Sequence, residues 1–292
     1  MVIEEIIHEN PLLNSGLISL EPLNGGLNNQ TYKVITKQKS FVVRINGKQN
    51  EYLNVTRRSE VDIMERAARE GFAPKVLIAN NPEKYVVTEF IDGQMISPDN
   101  LNDENTKKLI ISHLKKIHAM KDNERQCSPY YFIERYICGA DELNVKHPHG
   151  LSPFLKKAEA IAHKRSYDKQ FNGRYCHNDY FTVNMLSSGP DLYIIDWEMS
   201  GSGDVFFDLA TIPFSNKFSE EQEKEWLKLY FETYEDEQFE ILQELKFMHM
   251  VRECAWGMFY SGLDEKKINH DFNYYKHTLY VLERLQQGFN YL

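Results

Sequence analysis

One stretch of this sequence limits the possible folds more than any other. Residues Tyr175–Asn184 carry Asp179 and Asn184 in a polar and aromatic segment without helical periodicity, so both side chains are expected on one loop. The apolar run Leu192–Ile195 comes next and is typical of a short strand, which Asp196 ends. A side chain at the end of a strand can leave the sheet and face a ligand. The fold is therefore expected to present a strand end and a polar loop to the same ligand.

These residue types suit phosphoryl transfer from ATP. Asp179 can orient a hydroxyl group and accept its proton, while Asn184 and Asp196 hold magnesium (Mg²⁺) against the phosphates of the nucleotide. His177 is expected to support the loop through hydrogen bonds rather than to take part in the chemistry. The alternative is that Asp179 and Asn184 only stabilise a turn, as Asp and Asn often do. The four residues together, with the apolar strand in place, favour the catalytic interpretation.

The patterns His-x-Asp-x-x-x-x-Asn and Ile-Asp-Trp-Glu resemble the catalytic loop and the metal loop of the choline/ethanolamine kinase family. That family belongs to the aminoglycoside phosphotransferase-like group, whose fold is that of the protein kinases. The resemblance implies an α+β, protein-kinase-like bilobal fold. Residues 1–91 would form a small N-terminal antiparallel β-sheet lobe with one main helix, and residues 92–292 a large, mostly helical C-terminal lobe. The resemblance runs from Leu23 to about Tyr280.

A glycine-containing hairpin near residue 25 fits the loop that covers a nucleotide. Gly25 and Gly26 can adopt positive φ and let the backbone approach phosphates, while Asn28 and Asn29 suit a tight turn and offer amide donors. This hairpin resembles the Gly-Gly-x-(Ser/Thr/Asn)-Asn loop of choline kinases. Four ATP-binding residues are predicted here.

An ion pair is predicted between Arg44 and Glu60. Arg44 lies in the segment Phe41–Ile45, whose alternating pattern predicts a strand. The resemblance implies that Arg44 binds the α- and β-phosphates of ATP. The segment Arg57–Arg69 is predicted to be a helix, and Glu60 projects from its apolar face. An inward carboxylate beside a strand arginine would position that arginine. The alternative is an ordinary surface glutamate.

The apolar strand that begins at Tyr85 is followed by Asp-Gly. In the family it is the last strand of the small lobe and leads into the linker. The backbone near Glu89, Phe90 and Ile91 would then bond the edge of adenine, as the resemblance implies.

Composition excludes some classes of protein. The net charge of −9 argues against general binding of nucleic acids and favours a cationic substrate. No apolar stretch approaches the roughly 18 residues of a membrane span. The acidic N-terminus lacks the basic start of a signal peptide. The four cysteines show no Cys-x-x-Cys spacing and are expected to be reduced, which predicts a cytoplasmic protein.

Helical periodicity dominates from Asp103 onward, so a doubly wound parallel sheet is excluded. Ser219 and Gln222 predict a capping box at the start of one helix. Helices are predicted from Asp103 to about His118 and near 158–164, 220–233, 239–260 and 273–287.

The segment after the metal loop predicts a small-molecule acceptor. Phe181 stands where protein kinases have a lysine, and no long activation segment comes after Asp196. Little room remains to bind a peptide. Asp208 matches an aspartate of the family that ties this segment to the catalytic loop.

The acceptor site is predicted from aromatic residues. Trp256 and Phe259 lie on one side of a helix, and Tyr275 lies on the next helix. The general alternative for such a stripe is core packing. The segment resembles the one that supplies an aromatic cage in choline kinases, which would bind an ammonium group through cation–π attraction. Glu198 is a candidate for the nearby negative charge.

Several functions stay open at this stage. The leading one is an ATP-dependent kinase that transfers the γ-phosphate to choline or a related amino alcohol such as ethanolamine. The same fold could serve thiamine, an aminoglycoside or a sugar. A third possibility is a non-catalytic nucleotide-binding module. The sequence determines neither the oligomeric state nor the number of metal ions.

Overall fold

The computed structural model describes residues 2–23, 29–47, 52, 56–121, 125–263 and 272–288. The chain divides into two compact units. The sheet unit comprises Met1–Met95 and Met185–Glu198, and the helical unit comprises Ile96–Asn184 and Met199–Leu292. The predicted domain boundary after residue 91 stays a prediction.

The sheet unit contains a five-stranded sheet in the order β1-β2-β3-β5-β4, in which all neighbours are antiparallel. A second, three-stranded sheet has the order β6-β8-β9. The helices of this unit are α1 (Ile3–Glu9), α2 (Pro11–Asn14) and α3 (Arg57–Arg69). The strands are β1 (Leu17–Leu23), β2 (Gln30–Thr36), β3 (Ser40–Ile45), β4 (Val76–Ile78), β5 (Tyr85–Glu89), β6 (Gln94–Met95), β8 (Met185–Ser188) and β9 (Asp191–Ile194).

One face of the five-stranded sheet is buried. Phe41 and Val43 alternate inward along β3, as the period of two predicts, and pack with Val34 and Val87 of the neighbouring strands. Ile6 of α1 joins the same core. Neither α1 nor α2 was predicted from the sequence. Both helices are short, so they carry too little periodicity to identify.

The bounds of α3 agree with the predicted helix. Its inward stripe includes the buried Ile63 and Ala67, and the chain leaves the helix at Gly71 with φ of +83°. Glu60 is buried on the same helix. The helix therefore carries a carboxylate into the interior of the sheet unit.

The helical unit contains a two-stranded antiparallel sheet of β7 and β10 and seven described helices. The capping box of Ser219 and Gln222 at the start of α8 is confirmed. The elements are α4 (Glu104–His118), α5 (Pro129–Glu142), α6 (Ser152–Arg165), β7 (Asn172–Cys176), β10 (Gly201–Asp204), α7 (Val205–Asn216), α8 (Glu220–Phe231), α9 (Asp236–Gly262) and α10 (Tyr274–Gly288).

Two helices of this unit, α5 and α7, were not predicted. In α7 the run from Val205 to Pro213 is buried on every side, so no apolar stripe marks it as helical. None of the four cysteines forms a disulfide. Within the described ranges, no helix is long and apolar enough to cross a membrane.

Candidate active site

The loop after β7 is held by a buried carboxylate. Both oxygens of Asp208, on α7, accept backbone hydrogen bonds: one from the N–H of His177 and one from the N–H of Asn178, each 2.7 Å long. Asn178 has φ of +63°, a left-handed conformation that asparagine tolerates better than most residues. Its side-chain amide donates to the carbonyl oxygen of Met199 at 3.0 Å. The predicted role of Asp208 in tying its segment to this loop is confirmed.

Asp208 is itself supported by a chain of side chains. His118 Nε2 lies 3.2 Å from Asp208 Oδ2, and His118 Nδ1 lies 2.7 Å from the hydroxyl of Tyr230. If Nε2 carries the proton, it donates to Asp208 while Nδ1 accepts from Tyr230. The two oxygens of Asp208 therefore meet two backbone donors and one imidazole in a buried site.

Asp179 lies at the tip of this loop, with its side chain 24% exposed. The Asn184 amide donates to Asp179 Oδ2 at 3.0 Å and to the Asp179 carbonyl oxygen at 2.9 Å. The Asp179 N–H donates to His177 Nδ1 at 3.3 Å, so His177 supports the loop as predicted. The structure thus brings together Asp179, Asn184 and His177.

Arg252, which was not predicted from the sequence, completes this arrangement. Its Nη1 donates to the carbonyl oxygen of Asn178 at 2.8 Å, and its Nη2 lies 3.3 Å from Asp179 Oδ1. Arg252 lies on α9 and is buried. An arginine in a stripe of otherwise apolar helical residues was the available signal, because such a cation needs a carboxylate or a carbonyl group.

Opposing effects set the protonation of Asp179. Burial raises the pKa of its carboxyl group, whereas the charge of Arg252 and the hydrogen bond from Asn184 lower that pKa. Burial prevails, so the pKa lies above the ordinary value. A raised pKa brings a carboxylate closer to the strength that suits a general base near neutral pH.

The predicted ion pair between Arg44 and Glu60 is confirmed in the sheet unit. Arg44 binds both Glu60 oxygens through two nitrogens, at 2.6 and 2.8 Å, in a bidentate geometry. Burial alone would lower the pKa of Arg44, but the charge and hydrogen bonds of Glu60, together with the charges of Asp196 and Glu198, raise that pKa overall. For Glu60, burial would raise the pKa, but the two neighbouring arginines hold it below the ordinary value.

The second of these arginines is Arg57, which the sequence analysis missed. Its Nη1 lies 2.9 Å from Glu60 and 2.9 Å from Glu198, and its Nη2 donates to Asn29 at 3.0 Å. Arg57 therefore links three parts of the sheet unit: its own helix α3, Glu198 after β9 and Asn29 before β2. The signal was its position three residues before Glu60, which places both on one face of the helix.

Three carboxylates meet in the sheet unit. One oxygen from each of Glu60, Asp196 and Glu198 lies within 4.8 Å of the others. Asp196 comes just after β9 and has φ of +63°. Oxygen ligands of this kind suit Mg²⁺. Asp196 is the member of this group that the sequence predicts as a metal ligand. Asn184, the other predicted ligand, belongs to the helical unit, and the shared metal role stays a prediction.

The remaining nucleotide predictions have mixed outcomes. Gly25, Gly26 and Asn28 lie outside the described residues. The N–H of Glu89 donates to the carbonyl oxygen of Lys75 at 3.0 Å, and that of Phe90 donates to Ser40 at 3.4 Å. Those two donors are therefore used inside the sheet unit. Hydrogen bonding to adenine stays a prediction for the carbonyl groups of Glu89 and Phe90 and for the backbone of Ile91.

The predicted acceptor residues separate into different environments. Trp256 is half-buried in a cluster of rings, with its centroid 5.1–6.2 Å from those of Tyr260, Phe272, Tyr274 and His277. Phe259 is fully buried against α5, where a methyl group on Gly139 would come within 2.6 Å of its ring. This packing is that of a core residue.

Two further candidates have contacts of their own. Tyr275 donates its hydroxyl to the carbonyl oxygen of Lys146 at 3.1 Å, and the ring that contacts Trp256 is that of its neighbour Tyr274. Glu198 is bound by Arg57 in the sheet unit. Their acceptor roles stay predictions.

The sequence is similar to those of known phosphotransferases. The sequence profile described as "Phosphotransferase enzyme family" matches residues 19–246. A protein named "Protein LicA homolog" from Metamycoplasma hominis is 33% identical over 168 residues, which cover 56% of this chain and 63% of that protein. The chain spans less than two thirds of the length of the first curated relatives it matches, 63% and 62%.

Two solved structures share the fold. A choline/ethanolamine kinase family protein from Mesorhizobium loti superposes with a TM-score of 0.77 at 22% identity, covering 98% of this chain and 94% of that one. The choline kinase LicA from Streptococcus pneumoniae gives 0.76 at 24% identity, covering 96% and 99%. These comparisons confirm the predicted resemblance to the choline/ethanolamine kinase family and the predicted α+β, protein-kinase-like fold.

Proposed function

Because the chain belongs to the phosphotransferase enzyme family, we propose that it transfers the γ-phosphate of ATP to the hydroxyl group of choline or a related amino alcohol. The observation that carries this proposal is the environment of Asp179. Its carboxylate is fixed by Asn184 and Arg252 at the tip of a loop whose backbone is bound by Asp208. The names of the similar proteins support the same class of acceptor.

Asp179 acts as the general base in this proposal. A hydroxyl group that donates to its carboxylate would be oriented for attack on the γ-phosphate, and the carboxylate would accept the proton as the new O–P bond forms. Its raised pKa favours this transfer. His177 keeps the backbone of the loop in place and does not touch the reacting atoms.

Arg44 binds the α- and β-phosphates of ATP, and Glu60 positions it. A guanidinium that already binds one carboxylate through two nitrogens is rigid, so it loses little conformational entropy when phosphate binds. Gly25, Gly26, Asn28 and Asn29 are proposed to cover the phosphates. Glu89, Phe90 and Ile91 are proposed to offer backbone groups to adenine.

Asp196 and Asn184 are the proposed ligands of Mg²⁺. A carboxylate and a carboxamide oxygen are hard donors that fit this ion, and bound Mg²⁺ would neutralise charge on the phosphates. Asn184 already donates its N–H groups to Asp179, so its oxygen is the atom proposed to face the metal.

Trp256 is the proposed contact for the cation of the acceptor. It is half-buried and surrounded by rings, whereas Phe259 is fully buried. Phe259, Tyr275 and Glu198 are the other residues proposed for the acceptor. A cytoplasmic location is part of the proposal, and the four free cysteines are compatible with it.

A screen of acceptors tests this function. ADP release would be followed with Mg²⁺ and ATP in the presence of choline, ethanolamine, thiamine, a simple sugar or an aminoglycoside. We expect acceptor-dependent ADP release with at least one amino alcohol, and loss of that activity in Asp179→Asn. The matched control is Asp191→Asn, an exposed aspartate at the start of β9, which should leave the rate unchanged. ADP release only with thiamine, the sugar or the aminoglycoside would contradict the proposed acceptor, and none with any acceptor would favour a non-catalytic module.

A further inference from the structure

Glu253 lies beside the proposed base. The same nitrogen of Arg252, Nη2, lies 3.3 Å from Asp179 Oδ1 and 3.9 Å from Glu253 Oε1. The two carboxylate oxygens are therefore no more than about 7 Å apart. One nitrogen of Arg252 thus lies near both carboxylates, and it is hydrogen-bonded to that of Asp179.

The charges of this group do not cancel. Asp179 and Glu253 together carry two negative charges when ionised, and Arg252 carries one positive charge. Arg252 is buried, and its guanidinium also donates to the carbonyl oxygen of Asn178. A cationic ligand would supply the positive charge that these three side chains lack, and the side chain of Glu253 is 27% exposed, so a ligand can reach it.

Glu253 also lies beside His277 and near the ring of Trp256. Its Oε2 lies 3.6 Å from His277 Nε2, on α10. Trp256 lies three residues further along α9, on the same face, and its ring packs against His277. Glu253 therefore borders the ring cluster in which the cation of the acceptor was placed.

Among the residues that the structure describes, one buried polar atom of this ring cluster has no hydrogen-bonding partner. The side chain of Tyr274 is 1% exposed and its ring contacts Trp256, yet its hydroxyl has no hydrogen-bonding partner among the residues that the structure describes. A buried hydroxyl group without a partner is unfavourable, and a ligand that supplies an N–H would remove that cost.

We propose that Glu253 binds the positively charged nitrogen of the acceptor, and that the acceptor is an amino alcohol whose nitrogen carries at least one N–H. This inference rests on the proposed function and narrows it. In a two-carbon amino alcohol, three bonds of about 1.5 Å separate the hydroxyl oxygen from the nitrogen. A hydroxyl hydrogen-bonded to Asp179 and an ammonium hydrogen-bonded to Glu253 would together bridge two carboxylate oxygens that are no more than about 7 Å apart.

The choice between a protonated amine and a quaternary ammonium depends on the contacts. A carboxylate and a buried hydroxyl both accept hydrogen bonds from N–H, and a quaternary nitrogen has none to donate. A site built around hydrogen bonds rejects the analogue that lacks the donor more strongly than an apolar pocket rejects an extra methyl group. The rings around Trp256 also cover part of its surface, which leaves less of it for a trimethylammonium group.

The test is a series of acceptors that differ by one methyl group. Values of kcat/KM would be measured for ethanolamine and for its mono-, di- and trimethylated forms, the last being choline. We expect kcat/KM for choline to be at least about tenfold below that for ethanolamine, with the largest drop where the last N–H is lost.

The variant Glu253→Gln tests the residue. We expect kcat/KM for ethanolamine to fall at least about tenfold and the preference over choline to shrink, while KM for ATP stays within about twofold. Glu240→Gln, an exposed glutamate on the same helix, is the matched control and should change nothing. Glu253→Asp, which keeps the charge on a shorter side chain, should retain part of the ethanolamine activity.

The outcomes separate this inference from the function on which it rests. Equal or better use of choline by the unaltered protein overturns the N–H requirement while the kinase function stands. An equal loss for ethanolamine and choline in Glu253→Gln also overturns that requirement, and no loss for either overturns the role of Glu253. No phosphorylation of any member of the series overturns the proposed function itself.

Discussion

The guanidinium of Arg252 lies 3.3 Å from the carboxylate of Asp179. The two residues are 73 positions apart in the sequence, so the contact exists only because α9 packs beside the loop after β7. A permanent positive charge at this distance favours the ionised form of the carboxylate. Arg252 therefore positions the proposed base and opposes the effect of burial on its pKa.

Replacing Arg252 is expected to change the pH dependence of the reaction. Arg252 lowers the pKa of Asp179, so its removal in Arg252→Met should raise that pKa further. The base must be ionised to work, and the acidic limb of the kcat profile should therefore move to higher pH. The maximal kcat should fall by about 100-fold, because the carboxylate is no longer fixed.

The pH–rate profile measures both effects of Arg252→Met. Arg252→Lys should keep the acidic limb closer to that of the unaltered enzyme, because it retains the positive charge. It lacks the planar guanidinium that contacts two groups at once, so kcat should still fall. Arg284→Met, at an exposed position on α10, is the control. An acidic limb that stays in place in Arg252→Met would mean that Arg252 does not act on Asp179.

Replacing Glu60 is expected to weaken both ATP binding and stability. The pKa of Glu60 lies below its ordinary value of 4.5, so its stabilising effect is present above that pH and is lost as pH falls through the lower folded-state pKa. Glu60→Gln should remove the carboxylate that binds Arg44 through two nitrogens and leave Glu198 as the carboxylate still bound to Arg57, at a cost of about 3–5 kcal/mol at neutral pH.

Urea unfolding between pH 3 and pH 7 and the KM for ATP measure these effects. The unaltered protein should lose stability toward low pH more steeply than Glu60→Gln, and the KM for ATP should rise in the variant. Identical pH dependence of the two proteins would show that Glu60 is not ion-paired in solution.

Asp208→Asn is expected to loosen the catalytic loop. Asp208 offers two acceptor oxygens to the N–H groups of His177 and Asn178, and an asparagine side chain offers one. The unpaired buried N–H should cost about 1–3 kcal/mol of stability. Both the melting temperature and kcat should fall, while the KM for ATP should change little. An unaltered kcat in the folded variant would contradict the positioning role of Asp208.

Trp256 and Phe259 are expected to respond differently to substitution. Trp256→Ala should remove a cation–π contact of about 2 kcal/mol or more. By the rule that about 1.4 kcal/mol is a factor of ten, it should raise the acceptor KM at least roughly thirtyfold. Phe259→Ala should lower the melting temperature instead, because its ring packs against α5. Equal acceptor KM values in Trp256→Ala and the unaltered enzyme would show that Trp256 packs in the core and does not bind the acceptor.

The sequence predicted the features that depend on local pattern. The bounds of α3 and the inward position of Glu60 agree with helical periodicity, and the strand β3 agrees with alternation. The pairing of Arg44 with Glu60 could be inferred because a buried cation needs an anion and one inward carboxylate was at hand.

The features that depend on packing were not predictable. Nothing local relates Arg57 to Glu198, which lies 141 residues further along the chain. The difference between Tyr274 and Tyr275 depends on the rotation of α10, since successive helical residues point about 100° apart and only packing against α9 sets which one faces Trp256. The helix α7 is buried on every side and carries no stripe to identify it.

The most direct test of the central claim is to identify the phosphorylated product. Enzyme, Mg²⁺ and ATP would be incubated with ethanolamine or choline and monitored by ³¹P NMR, with Asp179→Asn and the control Asp191→Asn alongside. The account predicts a phosphomonoester signal that grows as ATP is consumed, at a rate at least about 100-fold lower in Asp179→Asn and unchanged in Asp191→Asn. A phosphomonoester formed equally fast by Asp179→Asn, or only inorganic phosphate in every sample, would contradict it.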